Sequence, residues 1–201
     1  AFTDKLRDDA KQVVRQLRHL GIPKIVMLTG DNAETASAIA EEAGVDEVYS
    51  GLLPEEKLTA IEELEGKYGS VAMIGDGVND APSLARATLG VAMGAGGTDV
   101  ALETADVVLM ADELGQIPYL VELSRRTRRT LIFNLGLAMA LIVMMIGGIL
   151  VYSLPLPVAV IGHEGGTVLV SLNGLRLLGY RSSRRRQSEQ RPNTSIRPRL
   201  T

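Results

Sequence analysis

From Leu131 to Val151 the chain runs for 21 residues with a single polar side chain, Asn134. A helix rises about 1.5 Å per residue, so about 20 apolar residues cross a hydrocarbon core about 30 Å thick. Lipid offers no water to satisfy the backbone, which makes a helix the form such a run takes there. A buried core hairpin would need far more surrounding protein than 201 residues supply. A second run, Val158 to Leu178, is long enough to return, although it contains His163, Glu164 and Asn173. Between them "SLPLP", residues 153–157, places prolines where one helix ends and the next begins. The expected spans are 131–152 and 156–178. Arginines flank the pair on both outer ends, in "RRTRR" and "LGYRSSRRR". The positive-inside rule then puts both ends in the cytoplasm, as a multi-pass segment of the cell membrane.

Charge divides the chain in the same place. Residues 1–124 hold nine Lys/Arg against 22 Asp/Glu, whereas residues 125–201 hold twelve Arg and two Glu. Residues 179–201 are basic, lack an apolar period, and are expected to be a disordered cytoplasmic tail lying against anionic lipid. No aromatic residues interleave with those arginines, which argues against nucleic acid as a partner. The absence of cysteine from the sequence removes disulfides and thiolate metal sites. The opening "AFTDKLRDDAKQ" has no signal sequence and reads as the middle of a larger protein.

The acidic part alternates two periods. Ala10, Val13, Val14, Leu17 and Leu20 recur at helical spacing before Gly21. "KIVMLT" reads as a strand, "AETASAIAEEAG" as a helix closed by Gly44, "EVYSG" as a strand, and "PEEKLTAIEELEGK" as a helix opened by Pro54. "SVAMIGDGVND" is a strand that breaks into a polar loop, and "LGVAM" and "ADVVLM" are two more short apolar runs. Strand alternating with helix predicts an α/β domain, its parallel sheet covered on both faces. In such sheets functional loops gather at the carboxyl ends of strands, where "TGDN" and "GDGVND" fall.

In "GDGVND" the carboxylates of Asp76 and Asp80 follow a buried strand, four residues apart, among glycines that let the backbone turn. Paired hard oxygens there suit Mg²⁺ shared with a phosphate, the plainer alternative being an acidic surface turn. In "TGDN", Thr29 and Gly30 end a strand, and Asp31 and Asn32 begin a helix. That arrangement serves equally as a phosphate cradle or as an ordinary N-cap. Lys57 in "PEEKL" has the reach to meet a phosphate oxygen or simply to sit in solvent.

Taken in this order, "TGDN", a lysine after a proline, and "GDGVND" resemble the phosphorylation domain of P-type ATPases, within the haloacid dehalogenase-like superfamily. The two apolar spans resemble the last two membrane helices of that family's heavy-metal branch, so the resemblance covers nearly the whole chain. It implies an incomplete Rossmann-like, three-layer haloacid dehalogenase-type domain over residues 1–124, followed by a two-helix transmembrane hairpin over 125–178. It implies that Asp76 holds Mg²⁺, that Asn79 and Asp80 organise the site, and that Thr29 and Lys57 contact the phosphoryl group. Gly30 and Asp31 shape the first loop. ATP is the implied substrate, and the implied partners are the nucleotide-binding domain, the actuator domain and the upstream membrane helices. One part has no counterpart. The family is phosphorylated on the aspartate of "DKTGT", which does not occur in residues 1–201, and Asp4-Lys5 in "TDKLRD" lacks the Thr-Gly-Thr. The segment by itself is therefore expected not to turn over ATP.

"HEGGT", residues 163–167, resembles the final-helix signature of the subgroup associated with cobalt, zinc and related ions. An ionisable pair at membrane depth is costly and usually functional. Imidazole and carboxylate suit borderline divalent metals, so His163, Glu164 and Thr167 are candidate ligands for Co²⁺, Zn²⁺ or Cd²⁺. The plainer alternative is a pair that hydrogen-bonds across helices or sits near the outer interface. Met139, Met144 and Met145 would favour copper, but there is no cysteine to accompany them. Ile142 stands where zinc- and lead-exporting relatives are expected to carry lysine. Asn134 and Asn173 are expected to bond between helices. A competing reading is a membrane-anchored haloacid dehalogenase-like phosphatase. It would need a nucleophilic aspartate near its amino end, and Asp4, Asp8 and Asp9 are badly placed for that. A third is a remnant or binding module without catalysis.

Overall fold

Val13, Val14 and Leu17 share one buried face of the first helix, α1 (Ala10–His19), and α1 packs on α2 (Ala33–Ala43) through it. The computed structural model describes residues 7, 9–77, 79–94, 99–110, 113–153 and 155–179, and the expected basic tail beyond Gly179 lies outside them, as do Asp4 and Asp8. The chain divides into two compact units, Ala1–Leu120 and Val121–Thr201.

The first unit alternates as the pattern predicts. After α1 come β1 (Val26–Leu28), α2, β2 (Glu47–Tyr49), α3 (Pro54–Tyr68), β3 (Ala72–Gly75), α4 (Ala81–Arg86), β4 (Leu89–Met93), α5 (Asp99–Thr104) and β5 (Val107–Leu109). All strand pairing is parallel, but it forms two sheets, β1-β2 and β3-β4-β5. Among the described residues, β1 pairs only with β2, and β3 only with β4. Ile61 from α3, Met73 from β3, Leu84 from α4 and Ala92 from β4 form the core cluster, and Leu28 of β1 packs against it.

The helix ends follow from local chemistry. Asn32 caps α2 by accepting from the Thr35 N–H at 2.9 Å, and Gly44 closes it at φ 78°. Pro54 opens α3 where its missing N–H costs nothing, and the Glu56 carboxylate accepts from the Leu53 N–H at 2.8 Å. Outside the core, Glu65 of α3 accepts from the Thr88 hydroxyl at 2.5 Å and from Arg86 at 3.0 Å. The Thr88 bond first, and Arg86 after it, hold the Glu65 carboxyl below its ordinary range. The Lys24 ammonium does the same for Glu47 at 2.9 Å, with Tyr68 and Lys67 adding to it.

The long helix α6 (Gln116–Tyr152), most of which belongs to the second unit, is the one described helix long and apolar enough to cross a membrane. It begins well before Leu131, because "RRTRRT" contains no residue that breaks a helix. The next helix, α7 (Leu156–Leu175), follows Pro155 as its N-cap and ends before Leu178. Asn173 donates to Asn134 Oδ1 at 2.6 Å, and Asn134 donates to the Val170 carbonyl at 3.3 Å. A Cβ on Gly166 would lie 2.6 Å from Leu141 Cδ1, and one on Gly162 would lie 3.7 Å from Met145 Sδ. Small residues thus let the two helices approach closely while amides fix their register.

Candidate functional site

Two strand ends meet through one pair of side chains. Lys57 sits in the first turn of α3, just after β2, and Asp80 stands at the start of α4, just after β3. Lys57 Nζ donates to Asp80 Oδ1 at 2.6 Å, and both side chains are largely buried, at 18 % and 17 % exposure. The short distance and partial burial make this a charge-assisted bond, not a solvated surface pair.

Asp80 fits there because residue 75 has no side chain. A Cβ on Gly75 would lie 2.8 Å from both the Cβ and Oδ2 of Asp80. The sequence counted Gly75 only among the glycines that let the loop turn; that it makes room for Asp80 was not read from it. In the same loop the exposed Asp76 accepts from the Asn79 backbone N–H at 3.0 Å and from its side-chain amide at 3.2 Å. Asn79 therefore orients the Asp76 carboxylate. Gly77 takes the left-handed turn at φ 77°.

At the end of β1, the Thr29 hydroxyl donates to Asp31 Oδ2 at 2.7 Å and accepts from the Asp31 N–H at 3.1 Å. This small ring fixes the loop, and Asn32, not Asp31, caps the helix. The Leu52 N–H donates to the Thr29 carbonyl at 3.0 Å, and the Gly51 N–H to the Asp31 carbonyl at 2.7 Å. The loop after β2, which leads to Lys57, is thereby stitched to the loop after β1. Gly30 is exposed, and a Cβ there would be 3.4 Å from the Leu52 carbonyl oxygen.

The chemistry of these groups is that of a polar strand-end site with one cation and three carboxylates. Asp76 and Asp80 present hard oxygens of the kind Mg²⁺ takes. Lys57 is a point charge suited to a phosphate oxygen. The structure joins Lys57 to Asp80, Asp76 to Asn79, and Thr29 to Asp31.

The candidate metal ligands in α7 stand apart in the second unit. His163, Glu164 and Thr167 are exposed there, and the Thr167 hydroxyl donates to the His163 carbonyl at 3.2 Å. No group of three or more His, Asp or Glu comes together among the described residues.

Residues 1–88 match the haloacid dehalogenase-like hydrolase family. Over 178 residues, 89% of this chain, it is 47% identical to a probable cadmium-transporting ATPase of Alkalihalophilus pseudofirmus, covering 25% of that protein. It is also 47% identical, over 90% of its length, to a probable cobalt/nickel-exporting P-type ATPase of Mycolicibacterium smegmatis, covering 28% of it. The crystal structure of a zinc-transporting PIB-type ATPase in the E2.Pi state matches 87% of the chain and 28% of that structure. The TM-score there is 0.80 at 44% identity. The chain thus spans about a quarter of the length of the curated relatives it matches.

Proposed function

We propose, on the premise that this chain is a segment of a heavy-metal-transporting P-type ATPase, that it serves the coupling of ATP hydrolysis to movement of a divalent cation. The cation class is Co²⁺, Zn²⁺ or Cd²⁺, in keeping with the transport named for its relatives. Residues 1–124 act as part of the phosphorylation domain, 125–178 as a pair of transmembrane helices with both ends cytoplasmic, and 179–201 as a basic cytoplasmic tail. Nucleotide-binding, actuator and further membrane parts complete the working protein, and the lipid bilayer is its other partner.

The observation that carries this reading is the Lys57–Asp80 bond at 2.6 Å, which ties the first turn of α3, after β2, to the start of α4, after β3. It gathers cation and carboxylate where phosphoryl chemistry needs fixed charge. Thr29 and Lys57 take the phosphoryl oxygens. Asp76, oriented by Asn79, and Asp80 hold Mg²⁺, which when bound neutralises phosphate charge. Gly30 and Asp31 keep the first loop open to the ligand. Within α7, His163, Glu164 and Thr167 contribute to the transported ion's site, completed by groups from other helices.

Phosphoryl transfer also needs a nucleophile, and no "DKTGT" occurs in residues 1–201. Among the described residues one edge each of β1 and β3 has no strand partner, which is in keeping with a sheet that takes a further strand. The test uses ATP labelled at its terminal phosphate. The full-length protein should form an acid-stable phosphoenzyme that Lys57→Met and Asp76→Asn abolish or sharply reduce. Chain 1–201 alone should take up no label. A labelled chain 1–201 would overturn the reading in favour of a self-contained phosphatase.

A further inference from the structure

Four polar side chains of α7 are left over by its packing against α6: His163, Glu164, Thr167 and Ser171, all exposed in the structure. At about 100° of turn per residue, the residues that meet α6 fall within an arc of about 80°. These are Gly162, Gly166, Val170 and Asn173. The four polar residues occupy the next arc, about 100° wide, which between His163 and Ser171 they hold alone and which Val160 and Gly174 share before and after. Ile161, Val168, Leu172 and Leu175 lie in the remainder. The helix thus has a packed sector, a polar sector and an apolar sector. The polar one climbs from His163 to Ser171, about 12 Å along the axis, towards the end bearing Arg176.

Polar side chains aligned over two turns of a membrane helix face protein or water, not lipid. Thr167 spends its proton on the His163 carbonyl at 3.2 Å, which leaves its oxygen lone pairs free to meet a cation. Ser171 stands one turn further on with the same chemistry.

We propose that Ser171 lines the path by which the divalent cation reaches His163 and Glu164, forming with Thr167 a hydroxyl track on α7. Neutral hydroxyls hold a hydrated cation weakly, which suits passage, whereas the imidazole and carboxylate beyond them suit residence. The proposal rests on the reading of His163, Glu164 and Thr167 as part of the ion site.

Because this chain has no cysteine of its own, introduced thiols report cleanly. In the full-length ATPase, freed of other reactive cysteines, Thr167→Cys, Ser171→Cys and Leu172→Cys would each be treated with a charged, membrane-impermeant thiosulfonate. Thr167→Cys and Ser171→Cys should react severalfold faster than Leu172→Cys. In parallel, Ser171→Ala should raise the metal concentration for half-maximal ATPase activity severalfold with little change in kcat. If Thr167→Cys reacts and Ser171→Cys is as slow as Leu172→Cys, the track is overturned while the ion site stands. If neither hydroxyl position reacts, the ion site falls and takes the track with it. Equal reaction at all three positions would overturn the track too, since the apolar sector would be equally wet.

Discussion

Lys57 Nζ lies 2.6 Å from Asp80 Oδ1, with both side chains mostly withdrawn from solvent. A charge-assisted bond in that setting does two things. It holds the first turn of α3 against the start of α4, and it fixes where a cation and a carboxylate stand at the strand ends.

Removing the lysine strands a half-buried carboxylate. Lys57→Met should therefore lower the stability of the chain in detergent by about 1–3 kcal/mol in urea titration. The Lys57→Met, Asp80→Asn double variant should recover part of the loss, because neither charge is then left alone. A loss in the double variant equal to the sum of the Lys57→Met and Asp80→Asn losses would show that the pair carries no coupling.

Gly75→Ala tests the same pair from underneath. Its Cβ would meet Asp80 at 2.8 Å, so the carboxylate must move and its bond to Lys57 lengthen. Phosphoenzyme formation by the full-length protein should fall by at least about tenfold, the scale of a misplaced catalytic group. The circular dichroism spectrum should hardly change. In an Asp80→Gly background, which removes both atoms that the methyl would meet, it should cost little more.

The Glu65 carboxyl is held below its usual value near 4.5, chiefly by the Thr88 hydroxyl, and Glu47 likewise by Lys24. A depressed folded-state value means stability that is present above the unfolded value and lost as pH falls through the folded one. The urea midpoint should therefore fall as pH drops below about 4.5. Glu65→Gln keeps an oxygen for Thr88 but cannot titrate, so its midpoint should fall less steeply over that window. An identical slope would assign acid sensitivity elsewhere.

Between α6 and α7, a Cβ on Gly166 would press on Leu141 Cδ1 at 2.6 Å. Gly166→Ala should be tolerated by a turn of the leucine, whereas Gly166→Leu should prise the pair apart. Disulfide formation between Met145→Cys and Gly162→Cys should slow severalfold with Gly166→Leu and recover on adding Leu141→Ala.

Periodicity made much of this fold legible. Val13, Val14 and Leu17 repeat at helical spacing and are buried together, and the runs around Val26–Leu28 and Ala72–Gly75 are strands. The two six-residue helices, α4 and α5, were not read, because "APSLAR" and "DVALET" are too short for a period to emerge. Their formation depends on neighbours such as α3 and β4 against α4. In the candidate site, the sequence singled out Lys57 and Asp80 separately, and their pairing belongs to the fold. Gly75 was read only as a turn glycine, because its role is an absence, visible only once Asp80 is seen to occupy the vacated volume. Asn134 and Asn173 were legible as partners because an amide in an apolar stretch has few other places to bond.

The division of the strands into β1-β2 and β3-β4-β5 has a practical corollary. Each of β1 and β3 presents a row of amide donors and acceptors with no neighbour among the described residues, and such rows recruit whatever extended chain is nearby. Expressed away from its natural surroundings, this polypeptide should be prone to sticking to itself edge to edge. Keeping it dispersed will depend on capping those rims, more than on strengthening an interior that Ile61 and Leu84 already fill.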